Sequence, residues 1–125
     1  MPHLITETTR QLADRIDFTQ VFAGVHRELA GHGYAQLADL KSRLLVAEVA
    51  LTGDDPEAGF VVTHLVMTNA RPEPVQAAMA AVVLAHMAAA VRQAAFAGNV
   101  QVCVLHRLVA QGAYRKTVVM SPGAV

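Results

Sequence analysis

The sequence predicts an α/β domain in the α+β sense: two tandem β-α-β units forming a four-stranded sheet with two helices on one face. Three observations carry this expectation. Strand-like and helix-like patterns follow one another as strand, helix, strand, and then again as strand, helix, strand. The two pseudo-repeats, about residues 2–53 and 59–109, have similar lengths, although their identity to one another is slight. The 125 residues fit a single domain, 1–125, with little room for a second.

Each element has its own local signal. Leu4, Thr6 and Thr8 alternate with His3, Ile5 and Glu7, which marks a short strand beginning almost at the amino terminus. Asp17 and Gln20 have capping-box spacing, Ile16 and Val21 flank them as a staple, and a helix is expected from near Phe18. Phe18, Val21, Phe22, Val25 and Leu29 give that helix one apolar face, and Gly31 and Gly33 stop it. A second strand runs from about Lys41 through Leu44–Leu51, closed by the turn-forming residues from Thr52 to Pro56. Phe60–Met67 is a third strand. Pro72-Glu73-Pro74 then opens a long helix ending near Gly98, and Val100–Leu105 forms the fourth strand. The tail from Ala113 to Met120 is expected as a short edge strand whose partner stays open.

Strands two to four carry apolar residues at both parities, as at Leu44 and Leu45, Val61 and Val62, or Val104 and Leu105. Two right-handed crossovers place both helices on one face, so the other face needs cover from a neighbouring copy in a closed assembly. The 54% hydrophobic and 16% charged composition agrees with an oligomer. Ten basic against ten acidic residues leave no net charge, which argues against nucleic acid as a partner. The apolar window Ala77–Val91, interrupted by His86, is shorter than the roughly 20 residues of a spanning helix, so no membrane association is expected. The amino terminus lacks the pattern of a secretory signal. With Cys103 as the lone cysteine, a disulfide framework is excluded and a reducing, cytoplasmic setting is expected.

The chemistry of the amino terminus stands out. Loss of Met1 before the small residue Pro2 would leave a secondary amine at the start of a sheet strand. An ordinary α-amino group has a pKa of about 7.7 to 8.0, and burial or a nearby cation lowers it, giving a neutral base at physiological pH. With Met1 attached, the same nitrogen is an amide with no basic lone pair. Of the six histidines, none forms a helical metal-binding pair, and no metal site is expected. His64, His86 and His106 are read as structural, His3 as a residue that could line a site, and Cys103 as packing. Gly31-His32-Gly33 lacks the order and the ending of a phosphate loop.

Met1–Glu7, the segment Leu40-Lys41-Ser42-Arg43, His64 in its apolar strand and Arg71 after it resemble the 5-carboxymethyl-2-hydroxymuconate Δ-isomerase family of the tautomerase superfamily. The likeness extends from Pro2 to about Leu108. It implies a homotrimer with the amino-terminal proline in a pocket near subunit boundaries, a small carboxylate substrate from aromatic-acid breakdown, and no cofactor. It also implies that Pro2 accepts a proton from an enol or acidic carbon and returns it to another carbon of the conjugated system. Arg43 matches the arginine that meets substrate oxygen or carboxylate, and Arg71 takes the corresponding place in the second half. Lys41 stands where the family often has arginine, keeping the charge without the planar fork. With no tryptophan, the pocket wall is expected to be aliphatic. The bland alternative for the arginines is an ion pair of Arg43 with Glu48 or of Arg71 with Glu73. The alternative functions are a keto-enol tautomerase for phenylpyruvate-like acids and a non-catalytic trimeric anion-binding protein with a blocked amino terminus.

Overall fold

A computed structural model of the chain describes residues 1–123. The elements, in chain order, are β1 (His3–Thr9), α1 (Arg10–Arg15), α2 (Phe18–Gly31), β2 (Lys41–Ala47), β3 (Gly59–Met67), α3 (Glu73–Gln93) and β4 (Val100–Leu108). Short 3-10 turns occupy Leu37–Asp39 and Gln111–Ala113. The sheet order is β2-β1-β3-β4. β2 runs parallel to β1 and β4 parallel to β3, while β1 and β3 pair antiparallel at the centre. Each parallel pair is joined through a helix, as such pairs require, and the expected four-stranded sheet is present.

Helices and sheet meet through one parity of every strand. Leu4, Val61 and Leu65 pack with Val25 and Leu29 of α2 and with Met79, Val83 and Met87 of α3, all essentially inaccessible. The four-residue steps along α3 place its three side chains in one stripe. Thr6, Thr8 and Thr63 also occupy this face, and their hydroxyls are paired: Thr6 Oγ1 and Thr63 Oγ1 lie 2.9 Å apart, and Thr8 Oγ1 donates to the Phe60 carbonyl at 2.8 Å. These bonds tie β1 to β3 and remove the cost of burying the hydroxyls unpaired.

The helix boundaries follow their caps. Asp17 accepts from the Gln20 amide at 3.3 Å, so α2 begins where the capping signal predicts. At its other end the Tyr34 amide donates to the Leu29 carbonyl and the Gly33 amide to the Ala30 carbonyl, with Gly33 at φ +76°. This pair of bonds is a Schellman exit, and it needs a residue that tolerates the left-handed region.

Several expectations are corrected. α1 was not anticipated, because six residues with one buried apolar side chain, Leu12, give too little periodicity to read. β2 stops at Ala47 rather than Leu51, since its partner β1 ends opposite at Thr9, Glu48 pairs with Arg10, and Val49 is 95% exposed. α3 ends at Gln93, before Gly98, because Ala95 adopts φ 51° and the chain turns back. β4 extends to Leu108 because β3 supplies partners as far as Met67. The tail from Ala113 to Met120 forms no strand.

The face of the sheet away from the helices is open in the single chain, with Leu45 51% and Leu105 52% exposed. His64, His106 and Cys103 are likewise exposed, whereas His86 bonds Glu28 at 2.9 Å. The apolar segment of α3 is longer than the window Ala77–Val91. Its 21 residues, with mean hydropathy of 1.7 over the most apolar stretch, would by length and composition suffice to cross a membrane. Here the stripe of Met79, Val83 and Met87 seats one face of it on the sheet.

Candidate active site

β1 pairs with β2 from its first residue, His3 opposite Lys41, and the Lys41 amide donates to the Pro2 carbonyl at 3.2 Å. That bond fixes the backbone of Pro2 at the end of the sheet. Met1 is only 6% exposed. Thr68, just beyond β3, donates its hydroxyl to the Met1 carbonyl at 3.1 Å. Lys41 Nζ approaches Met1 Sδ at 3.2 Å, and Tyr114 Oη approaches the same sulfur at 2.6 Å. Met1 is therefore enclosed by the starts of β1 and β2, the end of β3 and the carboxy-terminal tail.

The charges around this end are mainly positive. Burial holds the amino-terminal amine below its ordinary pKa, and Arg71 adds to the effect, as do Lys116 and Lys41, while Asp39 opposes it. Asp39 has its own partner, Lys116 Nζ at 2.9 Å, which lowers the carboxyl's pKa. Arg71 donates Nε and Nη2 to the Tyr34 carbonyl at 3.3 and 3.1 Å and Nη1 to the Asn69 carbonyl at 3.1 Å. The Schellman exit of α2 presents the Tyr34 carbonyl, so the stop signal of a helix locates a cation near the amino terminus. Burial lowers the pKa of this guanidinium, but an arginine stays charged at any ordinary pH.

Arg43 lies farther along β2, where its Nη1 donates to His3 Nδ1 at 3.4 Å. Burial first, and then Arg43, Lys41 and the amino terminus, lower the His3 pKa, which favours the neutral ring that can accept this bond. Arg43 also borders a groove with Phe18 and Phe22, in which His26 Nε2 and Ser42 Oγ lie 2.6 Å apart. Neither anticipated ion pair forms: Glu48 binds Arg10, and Arg71 is spent on main-chain carbonyls. The structure thus gathers Pro2, Lys41 and Arg71 around one end of the sheet and connects Arg43 to it through His3.

Sequence reasoning missed Tyr114, Lys116, Thr68 and Asp39. Nothing in the tail's composition announces that it folds back on Met1, since that contact is a property of the closed structure. Among the described residues, no three His, Cys, Asp or Glu side chains converge as metal ligands.

Comparison with known proteins agrees with this architecture. The family described as "CHMI: 5-carboxymethyl-2-hydroxymuconate isomerase" matches residues 2–117. No curated protein matches the sequence. A 5-carboxymethyl-2-hydroxymuconate isomerase from Deinococcus radiodurans R1 superposes with a TM-score of 0.80 at 18% identity, covering 93% of this chain and 88% of that one. A 5-carboxymethyl-2-hydroxymuconate delta-isomerase gives 0.77 at 17% identity over 97% and 89%. A fused 4-OT described as a symmetric trimer gives 0.69 at 14% identity over 95% and 94%. At such identities the superpositions establish the shared fold.

Proposed function

The chain belongs to the 5-carboxymethyl-2-hydroxymuconate isomerase family, an enzyme group of the tautomerase superfamily, and from that premise we propose that it isomerises 5-carboxymethyl-2-hydroxymuconate with Pro2 as acid and base. The observation that supports this most is the seating of the amino-terminal segment in a partly buried, cation-rich pocket. Once Met1 is removed, the Pro2 nitrogen becomes a secondary amine in those surroundings, and burial with Arg71 nearby favours its neutral, basic form.

The reaction balances without a redox partner. Pro2 takes the proton from the 2-hydroxyl oxygen, the C2–O bond becomes a carbonyl, and the C2–C3 double bond moves to C3–C4. The former C4–C5 double bond receives the same proton at C5. Charge accumulates on the dienolate oxygen and must be stabilised by fixed donors. Lys41, Arg43 and Arg71 are the proposed substrate-binding cations, suited to a molecule whose name specifies three carboxyl groups. Arg71 has three N–H groups engaged with the main chain, leaving two of the five on a guanidinium for substrate.

The proposed working form is a cytoplasmic homotrimer acting in aromatic-acid catabolism. The uncovered Leu45 and Leu105 support cover by further copies, and light scattering that returned a monomer would contradict the assembly. The function is tested by intact mass of natively produced protein followed by a ketonisation assay. The triacid dienol should turn over with much higher kcat/KM than enol-phenylpyruvate, and the reverse preference would make the protein a phenylpyruvate-type tautomerase. A native chain that always retains Met1 and isomerises neither acid would be the non-catalytic anion binder.

A pH profile tests the electrostatics. The base must be neutral, so kcat/KM should fall as pH drops through the amine pKa, with that limb below the ordinary α-amino range. Arg71→Met removes a cation that adds to the depression of the amine pKa by burial, so the limb should move to higher pH, while Arg71→Lys should keep it nearly in place. An unmoved limb in Arg71→Met would remove Arg71 from this role.

A further inference from the structure

Building on the amino-terminal site just described, we propose that Tyr114 and Lys41 form a carboxylate subsite at the position filled by the Met1 side chain. In this reading the tail is the wall that completes the pocket. Met1 Sδ is approached by two donors, the Tyr114 hydroxyl at 2.6 Å and the Lys41 ammonium at 3.2 Å. They are far apart in the sequence, one at the start of β2 and the other in the carboxy-terminal tail, and converge on the sulfur of the buried Met1. A thioether is a weak acceptor, so a phenol and an ammonium aimed at it are poorly matched to what they hold. An anionic oxygen at that point would match both, as a charge-assisted acceptor.

The neighbouring charges favour an anion there. Asp39 is the acid beside Lys41, but its carboxylate is taken by Lys116 at 2.9 Å, and Lys41 reaches only the Asp39 main-chain carbonyl, at 3.2 Å. The ion pair between Asp39 and Lys116 also pins the tail two residues beyond Tyr114 against the turn before β2, which holds the phenol in place. The groove along this seam has a volume of about 640 Å³ and is bordered by His3, Lys41 and Tyr114. That is within the usual range for small-molecule sites. Removal of Met1 thus does two things at once: it frees the Pro2 nitrogen, and it vacates the position in front of these two donors.

The test uses protein that begins at Pro2. Adipate, the saturated six-carbon diacid, serves as an unreactive probe, and its binding is measured by calorimetry independently of turnover. Tyr114→Phe should weaken adipate binding and raise KM for the dienol by about tenfold each, with kcat changed far less, and Lys41→Met should weaken both further. Tyr114→Phe with wild-type adipate affinity and KM would overturn the subsite. So would a variant that loses kcat and shifts the acid limb while KM holds, because the phenol would then act on the amine. If the wild-type protein binds adipate in a Tyr114-dependent manner but isomerises nothing, the subsite stands and the proposed reaction fails.

Discussion

Protein that begins at Pro2 is expected to ketonise the dienol at least about a thousandfold faster than the same chain carrying Met1. The difference is chemical before it is structural. With Met1 attached, the Pro2 nitrogen is an amide whose lone pair is delocalised, and it cannot take a proton at neutral pH. General acid–base catalysis by a positioned group contributes about 10² to 10⁴ in rate, and this enzyme would draw both proton transfers from one nitrogen. Steric exclusion acts in the same direction, because Met1 is 6% exposed and its side chain occupies the space between Lys41 and Tyr114.

Pro2→Ala separates the two contributions. Its processed form also vacates the Met1 position and also has a free amine, but a primary one on a backbone without the ring's restraint. A loss of about a hundredfold in kcat, with modest change in KM, is the expected result. Single-turnover ketonisation followed by absorbance, on samples whose first residue is verified by mass, provides the measurement. Equal rates for the Met1-bearing and processed proteins would end the proline mechanism whatever the substrate turned out to be.

The elements that carry this candidate site are legible in the sequence because their signals are local, whereas its residues are named through the family resemblance. Pro2 precedes a strand whose alternation is plain, and the Asp17–Gln20 cap and the Gly33 stop fix α2. Lys41 then arrives opposite His3 because β2 must lie parallel to β1. What was not legible depends on partners distant in sequence. Strand length is decided by the neighbouring strand, so β2 ended early at Ala47 and β4 ran late to Leu108. The docking of Tyr114 on Met1 needs the finished sheet, and no periodicity in the tail encodes it. Arg71 was expected to be paired with a carboxylate or free for substrate. It is held by the main-chain carbonyls of Tyr34, just past the exit of α2, and Asn69, just past β3, which orient it while leaving two N–H groups over.

A stability effect as large as that of a core truncation is expected outside the apolar core, at Gly98→Ala. A Cβ there would lie 2.1 Å from the Glu57 carbonyl oxygen, 3.1 Å from the Glu57 carbonyl carbon and 2.9 Å from Phe96 Cε1. The first two are main-chain atoms, which cannot rotate away as a side chain could. The loop that carries Glu57 leads directly into β3, and the adjoining Gly59 amide bonds the Asn99 carbonyl at 2.9 Å. Moving Glu57 aside would therefore pull on the first rung between β3 and β4, where Gly59 is paired with Val100. A cost of about 3 kcal/mol, or on the order of 10 °C in Tm, follows from overpacking that only backbone displacement can relieve. Gly31→Ala is the control, since nothing lies within 4 Å of its Cβ position and it occupies the last turn of α2. It should be neutral or stabilise by about 0.5 kcal/mol through helix propensity. Thermal unfolding of the two variants beside wild type decides the matter: a Gly98→Ala protein that melts with wild type would mean that the Glu57 loop does not rest against the turn after α3.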